Sequence, residues 1–152
     1  MPGVRLPMFI LKEVNEMSIY GVTRGTELEK AVNGAAQAEA NGTMLYYALA
    51  RLAREQGFEE AAEKFIEIAN QEAVHAGFYA VLNGQYPQNF WELAVSMQKA
   101  ETNAEGHIMD LAEKVRALGC EEGAKEIEIF AAQEKNHGVI LDELIKKYCP
   151  QA

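Results

Sequence analysis

The sequence predicts an all-α protein built as a four-helix bundle, and three observations support this. From Thr26 onward the chain is poor in proline and rich in alanine, glutamate, leucine and lysine, which favour helices. Its apolar residues recur every three or four positions, as on one face of a helix, and not at every second position as in a strand. Stop signals divide this region into four segments of roughly 23 to 31 residues, a length typical of bundles.

The first helix is predicted over residues 26–56. Thr26 and Glu29 form a capping-box sequence, in which the two side chains satisfy backbone N–H groups at a helix start. Gly57 supplies the stop. The second helix is predicted over residues 59–82, because an Asn-Gly pair follows it.

The third helix is predicted over residues 89–118, between the box-like sequence Asn-Phe-Trp-Glu and Gly119. The fourth is predicted over residues 121–148 and ends ahead of Pro150. Residues 1–25 have no clear periodicity, so we expect them to form an N-terminal arm or a short strand.

An internal repeat relates the first two helices to the last two. Its matched pairs, sixty-two positions apart, include Glu39 and Glu101, Gly57 and Gly119, Glu72 and Glu134, and His75 and His137. The helical domain, residues 26–148, is therefore predicted to contain two hairpins of one design, residues 26–83 and 89–148.

Each predicted helix has an apolar face that acidic residues interrupt at mid-length. The interrupting residues are Glu39, Glu72 with His75, Glu101, and Glu134 with His137. A buried carboxylate without a partner is costly, and four together would also repel one another. Two divalent ions would supply four positive charges, and a Glu-x-x-His spacing places both side chains on one helix face. The sequence predicts a di-metal centre with these six ligands, and carboxylate with imidazole suits iron or manganese.

Composition excludes several other classes of function. The 152-residue chain has a formal charge of −9, so it could not replace the counterions of a nucleic acid or of an anionic membrane. Its two cysteines form no CxxC pair, which excludes a thiolate metal site or a disulfide framework and favours a reducing cytoplasm. No early apolar run is long enough for a signal peptide or a membrane span.

Four segments of the chain resemble the rubrerythrins, di-iron proteins of the ferritin-like superfamily. The segments are AEANGTMLYY with Glu39, NQEAVHAGF with Glu72 and His75, AETNAEGH with Glu101, and AQEKNHGV with Glu134 and His137. The resemblance covers about residues 26–148 and implies a ferritin-like four-helix bundle. It also implies that Glu72 and Glu134 bridge two irons, that Glu39 and Glu101 are terminal ligands, and that each histidine binds one iron.

The resemblance also bears on residues outside these six. Tyr46, seven residues after Glu39, matches a family tyrosine that hydrogen-bonds near the metals. A further family glutamate, three residues after the ligand of the third helix, is replaced by Ala104. Glu105 lies one residue later on the inward face, so it is a candidate ligand or near-site carboxylate, with a surface position as the alternative. His107 lies off the inward face and is expected to be an ordinary exposed histidine.

The activity that the resemblance implies is a di-iron peroxidase that reduces hydrogen peroxide to water in oxidative stress defence. Tyr46 and Glu105 are the candidate catalytic residues, and the expected cofactor is two iron ions per site, with manganese or zinc as substitutes. Rubrerythrins proper carry a rubredoxin domain with two CxxC pairs, which this sequence lacks. Electrons are therefore expected from an external donor such as a rubredoxin-like protein. The alternatives are a ferroxidase or iron-binding ferritin-like protein that reacts with oxygen, and a bundle with a structural metal.

The linker between the two hairpins predicts how the chain assembles. In a ferritin-like topology the connection between the second and third helices must span about 26 Å along the bundle, at 1.5 Å per helical residue. Residues 83–89 reach only about 23 Å when fully extended. We therefore expect a domain-swapped homodimer, in which each di-metal site takes ligands from both chains.

Overall fold

The chain folds into four long α-helices joined by short turns. The computed structural model describes residues 18–149. The helices are α1 (Glu29–Glu55), α2 (Glu59–Leu82), α3 (Phe90–Ala117) and α4 (Glu121–Tyr148). Within residues 18–149 there is no strand. The predicted all-α class and the four predicted helices are confirmed.

The four helices form two compact units, which divide between Gln88 and Asn89. In one unit α1 packs along α2, and in the other α3 packs along α4. Only three residues join the two helices of each unit, so each unit is an antiparallel helical hairpin.

Glycines in the left-handed conformation end three of the helices. Gly57 has φ 84° after α1, Gly84 has φ 59° after α2, and Gly119 has φ 86° after α3. After α1 and α3 the next N–H reaches back into the helix, from Phe58 to the Ala53 carbonyl and from Cys120 to the Val115 carbonyl. These bonds satisfy carbonyl groups that a helix end leaves without a partner, so the predicted glycine stops are confirmed.

Helix α1 begins later than its capping box predicts. The regular helix starts at Glu29 and not at Thr26. The Thr26 hydroxyl accepts a hydrogen bond from the Leu28 N–H at 3.2 Å, and the Glu29 carboxylate accepts one from the Gly25 N–H at 2.5 Å. The two side chains therefore make box-like contacts, but they close the turn that precedes the helix.

Aromatic packing, and not a side-chain cap, fixes the start of α3. The side chain of Asn89 makes no cap hydrogen bond, and its Oδ1 is buried without a hydrogen-bond partner among the described residues. The Phe90 and Trp91 rings lie 4.8 Å apart, and the Trp91 ring stacks on Tyr148 at 6.1 Å. These contacts join the first turn of α3 to the last turn of α4.

The described part of the predicted N-terminal arm covers the end of α2. The Gly21 N–H donates to the Val81 carbonyl at 3.0 Å and the Thr23 N–H donates to the Leu82 carbonyl at 3.1 Å. These bonds satisfy two carbonyls at the α2 terminus. Residues 18–25 form no strand, and the rest of the predicted arm, residues 1–17, lies outside the described residues.

Small side chains form the contacts within each hairpin. The buried alanines include three repeat-related pairs, which are Ala50 and Ala112, Ala62 and Ala124, and Ala69 and Ala131. Because alanine is short, the two helix axes of a hairpin can approach closely. The described residues include no large side chain that is fully buried, and Phe78 and Phe130 are about half exposed. Each hairpin therefore keeps an apolar surface beyond its own helix contact.

The described residues also show the state of the cysteines and the apolar character of the helices. Cys120 and Cys149 are free thiols, the first exposed and the second buried. None of the described helices combines the length and the apolar character that crossing a membrane requires.

The buried alanine contact gives a matched pair of substitutions on α4. Ala131 is 1 % exposed and its neighbour Ala132 is exposed. Ala131→Leu is expected to lower the free energy of unfolding by about 1–3 kcal/mol, because the larger side chain forces the hairpin apart. Ala132→Leu is expected to change it by less than about 0.5 kcal/mol. Chemical denaturation measures both values, and equal effects would contradict the alanine contact.

Candidate metal centre

The first candidate cluster joins α1 to α2 and is called the first triad. It consists of Glu39, Glu72 and His75, which offer one ligand atom each within 4.8 Å of one another. His75 Nδ1 lies 3.4 Å from Glu39 Oε2. The Glu39 side chain is 23 % exposed and that of His75 is 53 % exposed. The carboxylate is thus largely withdrawn from water, while the imidazole is open to it.

The second candidate cluster joins α3 to α4 and is called the second triad. Its members are Glu101, Glu134 and His137, and their ligand atoms also lie within 4.8 Å of one another. His137 Nδ1 lies 3.5 Å from Glu101 Oε2 and 3.1 Å from Glu134 Oε2. The exposed fractions are 22 % for Glu101 and 52 % for His137. The second triad therefore reproduces the burial pattern of the first, as the internal repeat predicts.

Close packing of the helices brings each triad together. In the second hairpin Gly138 is buried beside His137, and a Cβ at that position would lie 3.2 Å from the Thr102 backbone nitrogen. The α4 backbone at Gly138 therefore lies against Thr102, the residue after Glu101. This contact brings the middle of α4 close enough to α3 for Glu134 to meet Glu101.

In each triad the carboxyl groups of the two glutamates lie within 4.8 Å of each other. The hydrogen bond with Glu39 raises the pKa of Glu72, and partial burial adds to the increase. The pKa of Glu101 is raised for the same two reasons, with Glu134 as its partner. Conversely, hydrogen bonds from Glu101 and His137 lower the pKa of Glu134. In each hairpin, one carboxyl group thus tends to keep a proton that its partner accepts.

The donor atoms of both triads fit a divalent metal ion. Opposite ligands of an ion with metal–oxygen distances of about 2.1 Å are about 4.2 Å apart, close to the 4.8 Å spread of each triad. Carboxylate oxygen and imidazole nitrogen are the donors that iron and manganese accept readily. A cation would also replace the proton that each carboxyl pair shares. The two clusters can therefore each hold a metal ion.

Six of the seven predicted ligands lie in the triads, and Glu105 does not belong to either cluster. Its Oε2 forms an ion pair with Lys135 Nζ at 3.1 Å, and its side chain is partly exposed. The ring of Tyr46, the other predicted catalytic residue, packs 6.2 Å from that of Phe65. The roles of Glu105 and Tyr46 remain predictions. His107 is exposed, as expected.

Sequence reasoning missed two residues that contact the site residues. Gly42 lies against the Glu72 carboxylate, and Lys135 forms an ion pair with Glu105. A signal existed for Gly42, because a glycine inside a helix is unfavourable unless its lack of a side chain is used. Lys135 gave no signal, because its pairing with Glu105 depends on side-chain directions across two helices.

Comparison with known proteins agrees with this geometry. The family model described as Rubrerythrin matches residues 30–102, which include the first triad and Glu101. An uncharacterized protein of Methanocaldococcus jannaschii is 36 % identical over 135 residues, which are 89 % of this chain and 95 % of that protein. No solved structure matches the chain significantly.

The shared protons give the metal-free protein a defined pH dependence. A carboxyl group whose pKa is raised on folding stabilises the folded state below its unfolded pKa, and this contribution is lost as the pH rises through the folded pKa. For Glu72 and Glu101 the loss therefore begins above their ordinary pKa of 4.5. The lowered pKa of Glu134 acts below 4.5, where acid removes its contribution. Glu72→Gln keeps a hydrogen-bond donor to Glu39 at every pH, so metal-free E72Q is expected to melt a few degrees above the unsubstituted protein at pH 8.

Thermal unfolding between pH 5 and pH 8, with a chelator present, measures this difference. It is expected to grow with pH, and the exposed Glu63→Gln on the same helix should show no such growth. A metal-free E72Q protein that is less stable than the unsubstituted one at pH 8 would contradict the shared proton.

Proposed function

The chain belongs to the rubrerythrin family, and on that premise we propose that it is a non-haem di-iron peroxidase that reduces hydrogen peroxide to water. The observation that carries the proposal is the pair of triads, whose four carboxylates and two imidazoles form an iron-type donor set. Two ions are needed because cleavage of the O–O bond of peroxide takes up two electrons and two protons to give two water molecules. When bound, the two irons supply those electrons.

The protein side chains would hold the ions and manage protons. Glu39, Glu72 and His75 would bind at one half of the centre, and the second triad would bind at the other. The protons that the carboxyl pairs share would leave as metal binds, so metal uptake releases protons to solvent. The bound ions would then neutralise the negative charges of the four glutamates.

Two residues near the triads are proposed to act on protons. The Glu105 carboxylate is partly exposed and paired with the Lys135 ammonium, so it can exchange protons with water while staying one helical turn from Glu101. The Tyr46 phenol is half-buried seven residues after Glu39, where its O–H would donate a hydrogen bond near the centre.

Electrons would come from a separate protein. The described cysteines are two free thiols, far apart in sequence, and neither belongs to a thiolate cluster among residues 18–149. We therefore propose an external donor of the rubredoxin type. The acidic surface that follows from the charge of −9 would orient a small electron carrier.

We also propose that each di-metal site forms between two chains in a domain-swapped homodimer. Contacts at the end of α2 support this proposal. The Gln85 N–H donates to the Ala80 carbonyl at 2.9 Å, and the Tyr20 hydroxyl donates to the Tyr86 carbonyl at 2.7 Å. Residues 83–86 are thus held at the end of α2, and the remaining linker to Phe90 reaches only about 14 Å. A ferritin-like connection within one chain needs about 26 Å along the axis.

The choice of oxidant distinguishes the peroxidase from its alternatives. Mixing the anaerobic, Fe(II)-loaded protein with limiting peroxide is expected to oxidise it faster than mixing with oxygen, by on the order of tenfold or more. Stopped-flow absorbance measures both rates. Faster oxidation by oxygen would favour the ferroxidase, and a redox-silent metal would favour a structural role.

Mixed dimers test whether each site draws on two chains. One variant carries Glu39→Gln and Glu72→Gln, and the other carries Glu101→Gln and Glu134→Gln. Each variant alone should lack intact sites. Refolded together in equal amounts, they should regain roughly a quarter of the sites, because half of the dimers are mixed and each mixed dimer has one intact site.

Peroxidase activity and Fe(II) content of the mixture give the measurement. Sites built within single chains would regain nothing, since neither chain would then hold both intact triads. Two unsubstituted samples treated in the same way control for losses on refolding.

A further inference from the structure

Gly42 lies where a side chain would strike a metal-binding residue. It occupies the interior of α1, one turn after Glu39. A Cβ built on Gly42 would collide with Oε2 of Glu72, 3.2 Å from its Cδ and 3.7 Å from its Cγ. The Glu72 carboxylate therefore fills the space that the side chain of any other amino acid would occupy.

The second half of the repeat is built differently at this point. The position that corresponds to Gly42 is Ala104, which carries a methyl group and is half-buried. In that hairpin the Glu134 carboxylate lies 3.1 Å from His137 Nδ1. His137 Nδ1 also lies 3.5 Å from Glu101, just as His75 Nδ1 lies 3.4 Å from Glu39 in the first triad. The bridging-type glutamates Glu72 and Glu134 thus have different neighbours.

The other glycines inside the described helices do not share this feature. A Cβ at Gly34, Gly77 or Gly106 would meet nothing within 4 Å. At Gly138 it would meet Thr102, which is a helix–helix contact, and at Gly123 it would meet the Cys120 sulfur. Glycine is a poorer helix residue than alanine, so its presence at position 42 is unfavourable for α1 alone. The Glu72 carboxylate fills the space that a side chain at position 42 would need, and this explains why a glycine is found there.

We propose that Gly42 is a positioning residue that seats the Glu72 carboxylate and makes the two metal half-sites unequal. A methyl group at position 42 displaces the Glu72 carboxylate from the space that it fills beside α1. Glu72 is then less well placed to bind metal, while the ligands of the second triad keep their positions. This inference rests on the proposed metal-binding function of the triads.

The test compares two identical substitutions in one helix. Gly42→Ala and Gly34→Ala both replace a glycine of α1 with a better helix former, so both metal-free proteins are expected to melt at or above the temperature of the unsubstituted protein. Anaerobic titration with Fe(II) is expected to show about 10–100-fold weaker metal binding in G42A. G34A is expected to bind both ions normally. Ala104→Gly, the reciprocal change in the second hairpin, leaves a gap without displacing a ligand and is expected to keep both affinities within about threefold.

A second measurement separates positioning from a general loss of structure. Co(II) absorbance reports the ligand geometry directly, and the spectrum of G42A is expected to differ from the spectra of G34A and of the unsubstituted protein. Normal binding of both ions by G42A, or an equal loss in G34A, would overturn the role of Gly42 and leave the proposed function standing. If the unsubstituted protein binds no Fe(II), the proposed function and this inference both fail.

Discussion

The meeting of two carboxyl groups across each hairpin is the constraint on which the rest of the structure depends. Glu39 faces Glu72, and Glu101 faces Glu134, with one member of each pair keeping a raised pKa. Two carboxylates in such contact repel each other, and a proton or a cation between them relieves the repulsion. The exposed imidazole of each triad supplies a third donor without adding a negative charge. The proposed uptake of a metal ion would therefore be coupled to the release of protons from these carboxyl pairs.

The packing of the helices brings those carboxyl groups together. Buried alanines in both hairpins, and Gly138 in the second, let the two helix backbones approach closely. The contact between the two helices of a hairpin therefore consists mainly of small side chains, and no described large side chain is fully buried. Apolar residues such as Phe78 and Phe130 remain about half exposed on their hairpins. The bundle proposed for the homodimer would cover such surfaces.

Much of the fold and of the site could be predicted from the sequence, because periodicity and the repeat carry that information. A spacing of three places Glu72 and His75 on one face of a helix whatever their rotamers are, and the glycine stops follow from backbone sterics alone. The contacts that individual side chains make could not be predicted from the sequence. Glu29 bonds back to Gly25 and closes a turn ahead of α1, which no capping pattern distinguishes from a cap within the helix. Likewise, the ion pair between Glu105 and Lys135 depends on side-chain rotamers on two helices. The role of Gly42 could not be predicted either, because it depends on the direction of the Glu72 side chain.

Several differences between the two halves of the repeat lie within about one turn of the triads. Thr43 and Ala73 in the first hairpin correspond to Glu105 and Lys135 in the second, so the ion pair exists in one half only. The glycine that lies against the Glu72 carboxylate is in the other half, where its counterpart is Ala104. A duplicated hairpin begins with two equal half-sites, and substitutions beside the ligands can make them unequal without disturbing the ligands themselves. In the proposed reaction, one half of the centre would then have a proton-exchanging carboxylate next to it, while the other would depend on the position of a single bridging glutamate.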